Sequence, residues 1–85
     1  MVGRKPSEVD TSTYRGRFGA NLRKLRLRKF DTLEDFVVAL KSNGLRTSQQ
    51  TVSGWETGYN LPKIENLPII AESLHVSIKS LIPSK

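Results

Sequence analysis

The polar residues between positions 48 and 57 have the types and the spacing needed for specific hydrogen bonding. Two glutamines, Gln49 and Gln50, are followed by Ser53 within this short segment. A glutamine amide donates and accepts hydrogen bonds at once, which matches the N7 and N6 edge of adenine in the major groove of DNA, and a serine hydroxyl can serve either kind of base-edge partner. The same residue types are common on solvated helix surfaces, so the segment predicts either a base-reading face or ordinary polar surface.

A helical wheel separates this segment into two faces. At about 100° per residue, Val52 and Trp55 lie together on one side. Four residues lie opposite them: Gln50, Ser53, Gly54 and Thr57. Gln49 lies at the rim of this polar face, and Gly54 would allow DNA to approach closely. Trp55 could stack on a base of a single-stranded nucleic acid, but its place on the stripe with Val52 predicts a position in the core.

Apolar spacing predicts two helices before this segment. The first begins near Thr13 and has a stripe at spacings of four, four and three residues: Tyr14, Phe18, Leu22 and Leu25. The second begins after Thr32, which with Asp35 forms a variant of the capping box. Its stripe consists of Leu33, Phe36, Val37 and Leu40. Asn43 and Gly44 are residues that end helices, so the second helix should stop there.

Three further helices complete the predicted fold. Ser48 should cap the third helix, and Gly58 should end it in the left-handed conformation. The fourth has the stripe Leu67, Ile70, Ala71 and Leu74. Pro68 is tolerated there because it lies near the helix start. Ser77 should cap a short fifth helix that ends at Pro83. No strand pattern is present, so the sequence predicts an all-α fold.

Length, cysteine content and hydropathy limit which classes of protein are possible. A chain of 85 residues is one domain with one small core, and it has no cysteine for disulfides or a thiolate metal site. Its apolar runs are far shorter than the roughly 20 residues needed to cross a bilayer. We therefore expect a cytoplasmic protein without a membrane partner.

The net charge of +6 is concentrated near the N-terminus. Residues 1–30 contain nine basic and two acidic residues, for +7, and residues 31–85 sum to −1. Such a basic end fits either a polyanion such as nucleic acid or a merely solvated helix face. Residues 1–12 contain glycine, proline and charge without apolar periodicity, so they are predicted to form a flexible basic arm in front of a domain spanning 13–83.

The order of these features resembles a known family. The most specific piece is SQQTVSGWETG at 48–58, followed by Pro62. The flanks agree, since LRKLR at 22–26 looks like the end of a first helix and 67–81 like a fourth and fifth helix. From position 18 to 82 the chain resembles the Cro/cI-type (XRE-like) helix-turn-helix domains of phage and bacterial repressors. The resemblance implies a compact five-helix, lambda-repressor-like fold in which helices 2 and 3 form the helix-turn-helix.

The resemblance also implies a function and its residues. Helix 48–57 would enter the major groove of double-stranded DNA, as in a transcriptional regulator on the nucleoid. The residues that would contact bases are Gln49, Gln50, Ser53 and Gly54. Those that would contact the DNA backbone are Ser48, Thr51, Thr57, Tyr59, Asn60 and Lys63, with Arg4 and Lys5 from the arm. Arg26 and Glu56 would form a structural ion pair, which accounts for a carboxylate placed unfavourably near a helix C-terminus.

Two departures from the family pattern stand out. The turn at 42–47 is about five residues longer than the tight turn typical of this motif, which affects the angle between helices 2 and 3. The family often has a glutamine at the start of helix 2 that contacts a phosphate, and Leu33 stands at that position here. That contact is expected to be missing or rerouted through backbone N–H groups.

Other functions have less support in the sequence. Glu72 and His75 are three residues apart, as in di-iron bundles, but such sites need several more carboxylates, so His75 is expected to be a surface residue. We therefore expect no metal and no cofactor. We also expect no catalytic activity and no small-molecule substrate. The competing hypotheses are a protein-interaction module, such as an antitoxin or adaptor, and non-specific nucleic-acid binding. Dimers on two-fold operators are the rule for such domains, yet no heptad seam appears, so a homodimer stays an open alternative.

Overall fold

The computed structural model describes residues 10–83, and all regular structure in this range is helical. The helices are α1 (Tyr14–Leu27), α2 (Leu33–Ser42), α3 (Gln49–Glu56), α4 (Leu67–Leu74) and α5 (Ile78–Leu81). A single 3₁₀ turn, Ile64–Asn66, leads directly into α4. The predicted all-α fold with five helices is therefore confirmed, whereas the 3₁₀ turn was not foreseen.

The starts of α1, α2, α3 and α5 are capped by hydroxyl side chains, as the sequence predicts for Thr32, Ser48 and Ser77. Thr13, Thr32 and Ser48 accept hydrogen bonds from the backbone N–H three residues later, at 3.0, 3.1 and 3.2 Å. Ser77 does the same at the start of α5, at 3.3 Å. Each bond satisfies one of the N–H groups that a helix leaves without an internal partner.

A single core forms where the helical stripes converge. Its fully buried large side chains are Phe18, Phe36, Leu22, Leu40, Ile70, Leu81 and Val52. Trp55 is 4% exposed, so the predicted core position of this residue is confirmed. Because α3 contributes Val52 and Trp55 to this core, the opposite side of α3 is left to face outwards. None of the helices in the range 10–83 is long and apolar enough to cross a membrane.

The long turn between α2 and α3 is tied to the rest of the domain. Gly44 has φ of 98°, and the Leu45 N–H returns to the Leu40 carbonyl at 2.8 Å, which closes the end of α2. The Asn43 amide donates to the Ala39 carbonyl at 3.1 Å and to the Ser73 hydroxyl at 2.9 Å, joining the turn to α4. The extra residues therefore form an anchored connection that leads to the cap of α3.

His75 forms the C-terminal cap of α4. This residue adopts the left-handed conformation with φ of 58° and caps α4, and its side chain is exposed. Its N–H donates to the Glu72 carbonyl at 3.1 Å. Within the described residues, no three His, Asp or Glu side chains come together in a group suited to a metal ion.

Candidate nucleic-acid interface

The two faces of α3 differ in burial as the helical wheel predicts. Val52 and Trp55 are buried, while Gln49 and Gln50 are exposed and Ser53 is half-buried. The exposed amides point away from the core and have no hydrogen-bond partner among the described residues. The structure thus brings the three predicted base-contacting side chains onto one outward surface of the helix.

The backbone of α1 packs directly against the backbone of α3 near its C-terminal end. A Cβ atom placed on Gly19 would overlap the Trp55 carbonyl oxygen and lie 2.7 Å from that of Glu56. Near the end of α3, a Cβ on Gly58 would lie 2.9 Å from the Gly16 Cα, and Gly58 has φ of 80°, which favours glycine. The two helices can approach this closely because glycines line the contact.

A buried ion pair locks the same two helices together. Arg26 Nε donates to Glu56 Oε2 at 2.6 Å, and Nη2 donates to Oε1 at 3.2 Å, with both side chains about 5% exposed. The remaining Arg26 nitrogen, Nη1, donates to the Phe30 carbonyl at 3.2 Å. Such a bidentate contact fixes the orientation of the guanidinium and of the carboxylate. It therefore sets the angle at which α3 presents its outer face.

The loop after α3 folds back onto the helix at Gly54. The N–H groups of Tyr59 and Asn60 donate to the Gly54 carbonyl at 2.9 and 3.3 Å. A Cβ on Gly54 would lie 3.0 Å from Asn60 Oδ1. The sequence analysis predicted that this glycine allows close approach of DNA, and in the structure the end of the flexible Asn60 side chain lies in the space beside it.

Tyr59 and Thr57 lie where α3 joins this loop. Tyr59 is 80% exposed, and its carbonyl accepts a hydrogen bond from Arg15 Nη1 at 3.4 Å. The Thr57 hydroxyl donates to the Ser53 carbonyl at 3.0 Å. The carbonyl contact brings Arg15, an α1 cation absent from the predicted site, to the C-terminal end of α3.

A groove of about 720 Å³ lies along the N-terminal side of α3. It is lined by residues 45–48 before the helix, by Thr51 and Trp55 within it, and by residues 60–63, 65 and 66 after it. Four predicted backbone-contacting residues meet there: Ser48, Thr51, Asn60 and Lys63. Arg46 lines the same groove and was missed, because the groove forms only when the loop after α3 folds back onto the helix.

The described part of the predicted arm packs on the start of α1. The Ser12 N–H and hydroxyl donate to Asp10 Oδ1 at 3.0 and 2.6 Å, and Arg17 Nη1 donates to the Thr11 carbonyl at 3.3 Å. A Cβ on Gly16 would overlap the Asp10 carbonyl oxygen. The chain therefore enters the domain close to Gly16. Arg4 and Lys5 lie outside the described residues.

Comparison with known proteins agrees with this geometry. The family model described as helix-turn-helix matches residues 38–81, from the middle of α2 to the end of α5. No curated protein and no solved structure matches the chain. Because the matched segment includes all of α3 and more than half of the 85 residues, the chain belongs to the helix-turn-helix family of DNA-binding domains, as its Cro/cI-type sequence features indicate.

Proposed function

We propose that the protein binds double-stranded DNA sequence-specifically as a transcriptional regulator of the repressor type, with α3 in the major groove. The observation that carries this proposal is the outward surface formed by the exposed Gln49 and Gln50 and the half-buried Ser53, on a helix whose other side is buried in the core. An α-helix fits the major groove, where each base pair presents a distinct pattern of donors and acceptors. The proposal places a non-enzymatic protein in the cytoplasm, on the nucleoid.

The roles divide between reading and anchoring. Gln49, Gln50 and Ser53 read base edges, and Gly54 contributes only by lacking a side chain. The anchoring residues are Ser48, Thr51, Thr57, Tyr59, Asn60 and Lys63, all exposed. Contacts to phosphates fix the register of the protein on the duplex, whereas contacts to base edges supply the specificity.

The arm belongs to the same proposal. It comprises residues 1–12 ahead of the domain at 13–83, and its attachment near Gly16 lies beside Gly58, directly after α3. Lys5 lies six positions before Thr11, so at about 3.5 Å per residue the basic pair at 4 and 5 can reach roughly 20 Å from the folded part. That reach is sufficient for Arg4 and Lys5 to contact the DNA backbone next to the groove that α3 reads.

Removal of residues 1–9 is expected to weaken DNA binding without unfolding the domain. The cut at position 9 keeps Asp10 and Thr11, which hydrogen-bond to the start of α1. Losing two phosphate-binding cations should lower the slope of log affinity against log salt by up to about 1.8. Thermal melting and a salt series of binding titrations check both parts. A large drop in melting temperature, or unchanged affinity at low salt, would contradict the arm's role.

Gln50→Ala is expected to relax specificity at one base pair only. Gln50 is exposed opposite Val52, so its amide reaches furthest towards a base, for which adenine is the matching partner. Loss of such a two-point contact should cost about 1 to 3 kcal/mol at the preferred base pair and little elsewhere. Binding-site selection from a random DNA pool, followed by titration of single-base variants, measures this change.

The matched control for this variant is Lys63→Ala. Lys63 lines the groove beside α3, so its removal should weaken binding to all duplexes about equally and lower the salt slope by about 0.9. If Gln50→Ala retains the wild-type pattern of base preferences, α3 is not the reading helix. The protein-adaptor hypothesis would then be the better account.

One observation favours that second candidate, a protein-interaction module. An apolar concavity of about 210 Å³ is lined by Tyr14, Phe18, Leu61, Pro62, Ile64, Leu67 and Ile82. Ile64 is 82% exposed there, and Tyr14, Leu61 and Ile82 are also exposed, so these residues form a contiguous apolar patch of the kind that marks interaction sites. A second copy of the chain on a two-fold operator would also fit such a surface. An adaptor would bind its protein partner while ignoring both specific and random DNA.

A further inference from the structure

Two cations line the groove beside α3, and neither forms an ion pair with another residue in the range 10–83. Arg46 precedes the helix and Lys63 follows it, and both side chains are exposed. In the range 10–83, the ion pairs involve only Arg23 or Arg26 with Glu56, so neither Arg46 nor Lys63 is neutralised by another described residue. Two positive side chains thus line one groove, and neither is in ion-pair contact with a carboxylate of the described residues.

The backbone on both sides of Arg46 is held in place. Leu45 packs partly buried against the core, and its N–H is bonded to the Leu40 carbonyl. Ser48, two residues after Arg46, caps α3. A cation carried on an anchored backbone loses less conformational freedom when it binds than one carried on a flexible loop. The long turn therefore presents Arg46 at a fixed place beside the first turn of α3.

One acidic residue opposes these charges. Glu65 lines the same groove and is exposed, so the three charged side chains sum to +1. The groove therefore keeps a net positive charge, which attracts a polyanion such as DNA. The groove is also continuous with the reading helix, since Ser48 and Thr51 line it. The phosphate backbone of the DNA whose bases α3 contacts would pass this position.

We propose that the groove formed by residues 45–48, 51, 55, 60–63, 65 and 66 holds the sugar–phosphate backbone of the bound DNA, with Arg46 as a phosphate-binding residue alongside Lys63. This inference rests on the proposed DNA-binding function. Arginine presents several donors in a planar fork that matches the oxygens of a phosphate. Glu65 acts in the opposite direction, because its carboxylate repels the same phosphates.

Three variants of the full chain test this assignment. Arg46→Ala removes the proposed contact, Glu65→Gln removes the opposing charge, and Lys79→Ala removes an exposed cation of α5 that does not line the groove. Each is titrated by fluorescence anisotropy with a selected duplex and a random duplex over a salt series. Ethylation interference on the selected duplex then identifies which phosphates each protein requires.

Arg46→Ala is expected to bind both duplexes more weakly by the same factor, with the salt slope lowered by about 0.9. When the salt concentration rises fourfold, the affinity of both proteins falls. The fall should be about 3.5 times smaller for Arg46→Ala than for the wild type. Glu65→Gln should bind both duplexes more tightly, and Lys79→Ala should match the wild type. At least one phosphate whose ethylation blocks the wild type should become neutral for Arg46→Ala.

Each contrary result has a distinct meaning. If Arg46→Ala keeps the wild-type salt slope and ethylation pattern while the wild type binds selected DNA, the groove assignment is overturned and the DNA-binding function stands. If Lys79→Ala lowers the slope as much as Arg46→Ala does, the effect is one of overall charge, which also overturns the assignment. If the wild type binds no duplex, both proposals fail together. Binding of an oligoglutamate peptide instead of DNA would indicate a protein partner.

Discussion

Glu56→Ala is expected to lower the free energy of unfolding by about 3 kcal/mol, because it leaves a buried arginine without its partner. Arg26 is about 5% exposed and directs two nitrogens at this carboxylate. Without Glu56 the guanidinium would retain only the Phe30 carbonyl as a hydrogen-bond acceptor among residues 10–83. Urea denaturation of the purified variant measures the change.

The coupling between the two residues provides the sharper test. Arg26→Ala should destabilise the domain to a similar extent, and the double variant should lose much less than the two single losses combined. Glu65→Ala serves as the control, since Glu65 is exposed, and its effect should stay within about 0.5 kcal/mol. Strictly additive losses at Arg26 and Glu56 would show that the pair is not a coupled unit.

Gly19→Ala is expected to destabilise the fold by at least about 2 kcal/mol, since the added methyl group has no space. The new Cβ would overlap the Trp55 carbonyl oxygen, which belongs to the backbone of α3 and cannot rotate away. To make room, α1 and α3 would have to move apart. That movement would also strain the nearby Arg26–Glu56 contact. Thermal and urea denaturation measure the loss.

Gly54→Ala is the matched control for this steric argument. Its added Cβ would meet only the end of the Asn60 side chain, at 3.0 Å, which can adopt another rotamer. Alanine also favours a helix over glycine by about 1 kcal/mol, which offsets part of any crowding. We therefore expect little change in stability. If both alanine variants were equally stable, the close backbone contact at Gly19 would not be a determinant of the fold.

Local sequence signals account for most of the secondary structure. Helix starts were predictable because a hydroxyl at Thr32 or Ser48 acts on a backbone N–H three residues away. The burial of Trp55 was predictable because it shares one face of a helix with Val52. In each case the cause and its effect lie within one helical turn. The 3₁₀ turn at Ile64–Asn66 was missed because no periodic stripe or cap precedes it.

Features that depend on the relative placement of distant segments were harder to predict. The Arg26–Glu56 contact spans 30 residues and was expected only through the family resemblance. Nothing in the sequence indicates that Gly19 lies against α3. The groove that contains Arg46 forms only after the loop following α3 folds back on it. Such contacts are decided by tertiary packing, for which a single sequence carries no direct signal.

One side of α3 is buried in the domain and the other faces outwards, so the outward residues can be changed without disturbing the core. The residues that fix the helix in the domain are Val52, Trp55 and Glu56, all buried. The side chains proposed to contact DNA, at 49, 50 and 53, make no side-chain hydrogen bond to the rest of the described domain. Libraries randomised at those three positions should therefore yield folded proteins. Under the proposed function, the operator sequences that these variants prefer should differ from the wild-type operator.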